Sequence, residues 1–296
     1  MDKITVAVIG GSGLYQMPGL TNLREQHIAT PFGDPSDALL IGELSSASGA
    51  SVPIAFLPRH GRGHVLSPSE VPYRANIYAL KSLGVHTIIA VSACGSLREH
   101  LEPGAIVIPD QLFDFTKNRP RSFFGDAVAT GLVAHVSVAE PFCPELSALL
   151  AGACEDAGAR VHRGGALITI EGPRFSTKAE SRAFRAWGLD LIGMTTSPEA
   201  FLAREAGLCY ATMAHVTDYD VWHESEAPVT VEVVIQRLNA NVNLAQHAIA
   251  ELAPRLAQRE AHCTCAEALA TALITAPERI PAATREKLQL LTQPYL

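Results

Sequence analysis

Apolar runs rich in β-branched residues alternate along this chain with stretches of helical period. No other feature limits the fold as much. The runs are ITVAVIG (4–10), DALLIGEL (37–44), VPIAFLP (52–58), HTIIAVSA (86–93), AIVIPDQLF (105–113), ALITIEG (166–172), LDLIGMT (189–195) and CYATMAHV (209–216). Each is nearly continuous, the pattern of a strand covered on both faces. Helical patterns lie between several of them, at 72–84, 144–158, 177–188 and 197–207. In the last, Ser197 stands as N-cap, Pro198 as the first helical residue, Glu199 in the first turn and Gly207 as the stop. A long helix over 230–256 is expected, capped by Thr230. Strands alternating with helices mean an α/β fold. No linker, repeat or low-complexity block divides the chain, which reads as one domain over 1–296 with a helical C-terminal extension at 260–296.

With 296 residues, 48% hydrophobic and 18% charged, the chain has ample material for a core and lies far from the disordered class. The formal net charge of -7 and the absence of a basic stripe argue against a nucleic-acid partner. Local backbone N–H groups can still bind a small anion. No apolar run approaches the roughly 18 residues of a membrane span, and MDKITVAVIGG lacks the pattern of a secretion signal. A cytoplasmic chain is the expectation. Of the six cysteines, Cys94, Cys143, Cys154 and Cys209 are dispersed and read as small buried hydrophobes or inert thiols.

In open α/β sheets, ligands bind beyond the carboxyl ends of the strands. The segments there are GGSGL (10–14), PRHGRGH (58–64), SACGSL (92–97), EGPRFS (171–176), GMTTSPE (193–199) and TDYD (217–220). The first fits neither a dinucleotide fingerprint nor a P-loop. It is a glycine turn able to offer N–H groups and the Ser12 hydroxyl to an anion, or a tight turn alone. Arg59, His60, Arg62 and His64 crowd the second, without the companions a metal site needs. Arginine directly after a buried strand suits bidentate contact with a phosphate or a carboxylate; solvated surface charge is the plainer alternative. Thr195 and Thr196 precede a helix N-terminus, which favours an anion. Cys94 lacks the surroundings of a known nucleophile motif. Asp218 and Asp220, two apart, share a face if the segment is extended, and their repulsion would then favour holding one protonated. An Asx turn at the strand exit is the alternative.

Taken together, IGGSGL, TPFGDPSDAL, PRHGRGH, YRANIYALK, SACGSLRE, AEPFCP, TIEGPRFSTKAES, GMTTSPEA and TDYDVW resemble the methylthioadenosine phosphorylase branch of the purine nucleoside phosphorylase family. The resemblance runs in order to about residue 240. It implies a single α/β domain with a mixed, distorted sheet flanked by helices, assembled as a homotrimer or homohexamer. It also implies phosphate as co-substrate with no metal or organic cofactor, and adenine released in a purine and methionine salvage reaction. Carried over, the phosphate site comprises Ser12, Arg59, His60, Ser92, Ala93 and Thr195. Met194 would lie under the ribose, Phe175 and Ser176 beside the base, and Asp218 and Asp220 at its N7 and N6 edge. His135 would reach across a subunit interface toward a methylthio pocket lined by Val231 and Val233.

On that reading Asp218 is the general acid and Asp220 accepts from the exocyclic amine, which favours adenine over hypoxanthine. The alternatives are an inosine-type or methylthioinosine phosphorylase, a nucleoside hydrolase, and a nucleotide-binding module without turnover. Some members of the branch carry a CxC pair like Cys263 and Cys265, which implies either a disulfide or two free thiols.

Overall fold

The computed structural model describes residues 3–11, 13–17, 19–47, 49–125, 131–223 and 231–296. Its strands are β1 (Val6–Gly10), β2 (Leu20–Gln26), β3 (Leu39–Ser45), β4 (Ser51–Pro58), β5 (Thr87–Ser96), β6 (Ile106–Ile108), β7 (Gln111–Phe115), β8 (Val161–Arg163), β9 (Ala166–Ile170), β10 (Leu191–Gly193) and β11 (Cys209–Asp218). Its α-helices are α1 (Tyr73–Ser82), α2 (Pro144–Asp156), α3 (Lys178–Ala186), α4 (Thr196–Glu205), α5 (Val231–Ala257) and α6 (Ala282–Thr292). The strands form one mixed sheet in the order β2-β3-β4-β1-β5-β10-β9-β7, with β11 joining β5 to β6 and β6 joining β8.

Burial on both faces explains the continuous apolar runs. Along β1, Ala7 and Ile9 enter one core with Ile77 and Leu80 of α1 and Ala200 and Ala203 of α4. Val6 and Val8 enter the opposite core with Leu146 and Leu150 of α2 and Ile249 and Leu252 of α5. The same alternation runs along β4, where Leu57 and Phe56 face opposite ways. Burying one such side chain contributes about 1.5–3 kcal/mol.

Two strands escape the sequence pattern. β2, LTNLREQ, is an edge strand that is mostly solvent-facing and polar, and β8 is three residues long. The run at 105–113 splits into β6 and β7 around Pro109, which cannot donate a ladder hydrogen bond. The extension contains one α-helix, α6, after two single 3-10 turns at Cys265–Glu267 and Pro277–Arg279. Leu269, Ile280, Leu288 and Leu291 nevertheless pack into the first core beside Tyr73 and Tyr210. The expected cap Thr230 lies outside the described residues. None of the described helices is long and apolar enough to cross a membrane.

Candidate active site

β5 is the branch point of the sheet, and its pairing creates an opening. Its first half pairs with β1 as far as Ala90, and its last residues pair with β10 from Gly95. Between them, Ser92, Ala93 and Cys94 have a strand partner only on the β11 side, opposite Ala214, His215 and Val216. The N–H and C=O groups of the open edge lie where the strand order diverges, the usual place for a ligand in such sheets. The Ser92 hydroxyl is buried there with no partner among the described residues.

Arg59 closes one side of this opening, because β4 pairs with β1 in parallel up to Pro58 opposite Gly10. Its side chain is only 3% exposed. The fork grips Glu199, with Nε 2.7 Å from Oε2 and Nη2 2.8 Å from Oε1, while Nη1 donates to the Val91 carbonyl at 3.0 Å. Of the two partners the sequence offered this arginine, phosphate or carboxylate, the bidentate one is a carboxylate of the protein. Fully buried Glu199 also accepts from the Tyr210 hydroxyl at 2.7 Å. Burial opposes charge on Arg59, but the Glu199 carboxylate outweighs it and holds the guanidinium protonated above its ordinary range. The network ties β4, β5, β11 and α4 together beneath the opening.

His60 is a neutral acceptor. Its Nδ1 lies 2.9 Å from the Leu66 carbonyl, which can only accept, so the proton sits on Nδ1 and Nε2 keeps a lone pair. Burial, with the Arg59 charge beside it, pushes the ring down to about 4. His64 stacks on it at 4.2 Å between ring centroids. Arg62 turns away to Asp37 and Glu25 on the surface.

Thr195 is buried at the start of α4 with no side-chain cap on the helix. Ser197 has the extended backbone of an N-cap (φ -100°, ψ 134°), yet its buried hydroxyl has no partner among the described residues. Its N–H goes to Thr169 Oγ1 at 3.1 Å. The expected side-chain cap by Ser197 is therefore corrected.

At the far end of the opening sit the aspartates. Asp218 lies opposite Gly95, three residues beyond Ser92, which is about 10 Å along the strand. A Cβ on Gly95 would stand 2.9 Å from Asp218 Oδ1 and 3.3 Å from Asp220 Cβ, so only glycine lets the pair settle onto β5. The shared-face expectation from extended geometry does not hold, although the two residues stay together. The ladder is irregular between Val216 and Asp218, and Asp220 has φ 51°, in the left-handed region. Asp218 Oδ1 instead accepts from the Asp220 N–H at 2.8 Å, an Asx turn.

Protonation follows from the neighbours. The Thr217 hydroxyl lies 2.7 Å from Asp218 Oδ2 and 3.2 Å from the Cys94 carbonyl. One hydroxyl proton cannot serve both. The shorter contact is the one to the carboxylate, to which Thr217 donates, and Asp218 carries the negative charge felt by its neighbours. Asp220 is also buried, with no partner for Oδ2 among the described residues. Burial, with the Asp218 charge adding to it, raises its carboxyl above the usual range. Cys94 is no nucleophile. Burial, reinforced by Asp218, pushes its thiol up, and it donates to the His215 carbonyl at 3.4 Å.

Ser176 is buried, its hydroxyl without a partner among the described residues, and lines a cleft with Glu171, Gly172, Arg174 and Glu180, while Phe175 is partly exposed beside it. Met194 packs so closely on Gly172 that a Cβ there would meet its sulfur at 2.7 Å. His135 and Val231 are exposed, and no hydrogen bond, ion pair or ring contact among the described residues joins either to the aspartates. Ser12 lies outside the described residues, as does the side chain of Val233.

Two positioning residues escape the sequence reading. Glu199 carries only a helix-start signal, and its ion-pair partner is 140 residues away. Arg119 lies in a polar stretch after β7 and looks like surface charge. It is buried, and it donates to the carbonyls of Glu171 (2.6 Å), Met194 (2.7 Å) and Ser197 (2.9 Å), clamping two of the strand-end loops together.

Known proteins resemble the chain along its whole length. A family model described as the phosphorylase superfamily matches residues 5–254. S-methyl-5'-thioadenosine phosphorylase of Chloroflexus aurantiacus is 55% identical over 300 aligned positions, covering 100% of this chain and 99% of that protein. The protein of the same name from Geobacter sulfurreducens is 51% identical, with 100% of both chains covered. Among solved structures, a methylthioadenosine phosphorylase from an Antarctic soil metagenomic library superposes with a TM-score of 0.90 at 48% identity, covering 98% of this chain and 99% of that one. Methylthioadenosine phosphorylase from Schistosoma mansoni in complex with adenine gives 0.80 at 39% identity, covering 90% and 96%.

Proposed function

The chain belongs to the phosphorylase superfamily, and from that premise we propose that it cleaves 5'-methylthioadenosine with phosphate, giving adenine and 5-methylthioribose 1-phosphate. The observation that carries this reading is the buried aspartate pair seated against Gly95, about 10 Å along β5 from Ser92 in the anion-suited opening. That spacing leaves room for a sugar between a phosphate and a base.

Phosphate is assigned to Ser12, Arg59, His60, Ser92, Ala93 and Thr195. Arg59 supplies its charge from behind, already bound to Glu199. The Nε2 lone pair of neutral His60 suits a P–OH donor, and the open edge of β5 supplies N–H groups beside the Ser92 hydroxyl. Breaking the glycosidic bond leaves positive charge on the sugar and negative charge on the departing adenine. The phosphate stabilises the first and then attacks C1'. A proton from Asp218 to N7 stabilises the second. Asp220 accepts from the exocyclic amine. Phe175 and Ser176 border the base, and Met194 lies under the ribose.

His135, Val231 and Val233 are assigned to the methylthio pocket of a neighbouring subunit, in a homotrimer or homohexamer. The exposure of His135 and Val231 in the single chain supports that placement. The reaction calls for no organic cofactor and belongs in the cytoplasm.

Base preference tests the assignment. Methylthioadenosine should exceed methylthioinosine in kcat/KM by about 10- to 100-fold, because a 6-oxo group would set a buried acceptor against the Asp220 carboxylate, at a cost of about 1–3 kcal/mol. Equal values, or a preference for methylthioinosine, would mean that Asp220 donates to a 6-oxo purine and that the chain is an inosine-type phosphorylase.

A further inference from the structure

Cys143, Cys209, Cys263 and Cys265 come from three separate parts of the chain, yet their sulfurs all lie within 4.8 Å of one another. Cys143 immediately precedes α2, Cys209 opens β11, and Cys263 and Cys265 stand in the turn that begins the extension. All four are free thiols, three buried and Cys263 half-buried. Of the four cysteines dispersed in the sequence, Cys94 and Cys154 stand apart from the cluster, whereas Cys143 and Cys209 are brought together with the CxC pair. The Cys209 and Cys263 sulfurs are 3.3 Å apart. In a tetrahedral zinc–thiolate centre, with Zn–S about 2.3 Å, neighbouring sulfurs stand about 3.8 Å apart. The cluster is already close to that size.

The charged neighbours are compatible with a metal centre. Arg204 Nη1 lies 3.3 Å from the Cys265 sulfur, and Arg259 Nη2 lies 3.6 Å from that of Cys209. Arg259 is also 3.3 Å from the Glu145 carboxylate. The sulfurs otherwise sit in the apolar cluster of α2 and α5. Arg204 is also held by the Glu140 carbonyl, and each guanidinium keeps an N–H on a sulfur, although thiol sulfur is only a weak acceptor. Four thiolates around a divalent ion carry two negative charges, which N–H donors from two arginines suit in number and sign.

We propose that these four cysteines bind a structural zinc ion that pins the start of the C-terminal extension to β11 and to the entry of α2. Each thiol releases its proton as its sulfur bonds to the metal, so the step needs no oxidant. All-thiolate tetrahedral ligation selects zinc, or iron as the alternative, over the harder divalent ions. Four protein ligands leave no open position, so the centre is structural. It sits at the Cys209 end of β11, about 30 Å along the strand from Asp218, and stands apart from the proposed chemistry.

The test is the metal content and intact mass of the full chain, produced with zinc and purified without chelator. About one zinc per chain is expected. The double variant Cys263→Ser, Cys265→Ser should lose the zinc and melt at lower temperature, with kcat unchanged where it is folded. Cys154→Ala, at a cysteine outside the cluster, should keep the metal. A metal-free wild-type chain whose mass is low by the hydrogens of two disulfides would overturn the proposal. So would iron in place of zinc, or a chain with six free thiols that takes up no zinc when dialysed against it.

Discussion

Asp218→Asn is expected to lower kcat for methylthioadenosine by about 10²–10⁴-fold, the usual worth of a positioned general acid, with the KM for phosphate near wild type. The substitution isolates the proton. Asparagine keeps the side-chain oxygen that accepts the Asp220 N–H, so the turn survives. Its amide can donate to Thr217, whose own proton then goes to the Cys94 carbonyl. The local network stays satisfied, and what disappears is the acid for N7. Steady-state kinetics with both substrates, beside a melting curve, will separate these effects. Wild-type-like kcat in a folded variant would remove Asp218 from the mechanism. Asp220, lifted by burial, would then be the first candidate for the proton.

Glu199→Ala should act chiefly on stability and on phosphate. It would leave a buried guanidinium and a buried phenol without the carboxylate that now accepts from both. Breaking a buried pair by removing one partner costs about 3–5 kcal/mol. For a chain of this size that is a fall in Tm of about 10 °C. The KM for phosphate should rise as well, because Arg59 loses the partner that fixes its fork beneath the opening on β5. Glu199→Gln, which keeps one acceptor oxygen, should be milder on both counts. If Glu199→Ala melts with the wild type and binds phosphate as tightly, the network does not position Arg59.

How much of this was legible in the sequence depends on the range of each interaction. Strands with both faces covered announce themselves by continuous apolar runs, and eight such runs led to the sheet. β2 was silent because an edge strand facing solvent has no apolar pattern to show. The strand-end rule picks out Arg59, Ser92, Thr195 and the aspartates as candidates, since it needs only the end of each run. It could not find Glu199 or Arg119, whose roles come from partners brought together only by the fold. For the aspartate pair the sequence leaves two geometries open, a shared face or an Asx turn, and the structure has the turn. A strand that ends in a left-handed residue does not continue the two-residue alternation. The cysteine cluster was hidden for the same reason as Glu199, because spacing shows only the CxC half of it.

Phosphorolysis itself is most directly tested by following free adenine from methylthioadenosine after phosphate has been dialysed away and then restored. Almost no adenine is expected without phosphate, with recovery of the rate on adding it and 5-methylthioribose 1-phosphate equal in amount to the adenine. Adenine released at an undiminished rate without phosphate, with free methylthioribose as the second product, would contradict phosphorolysis.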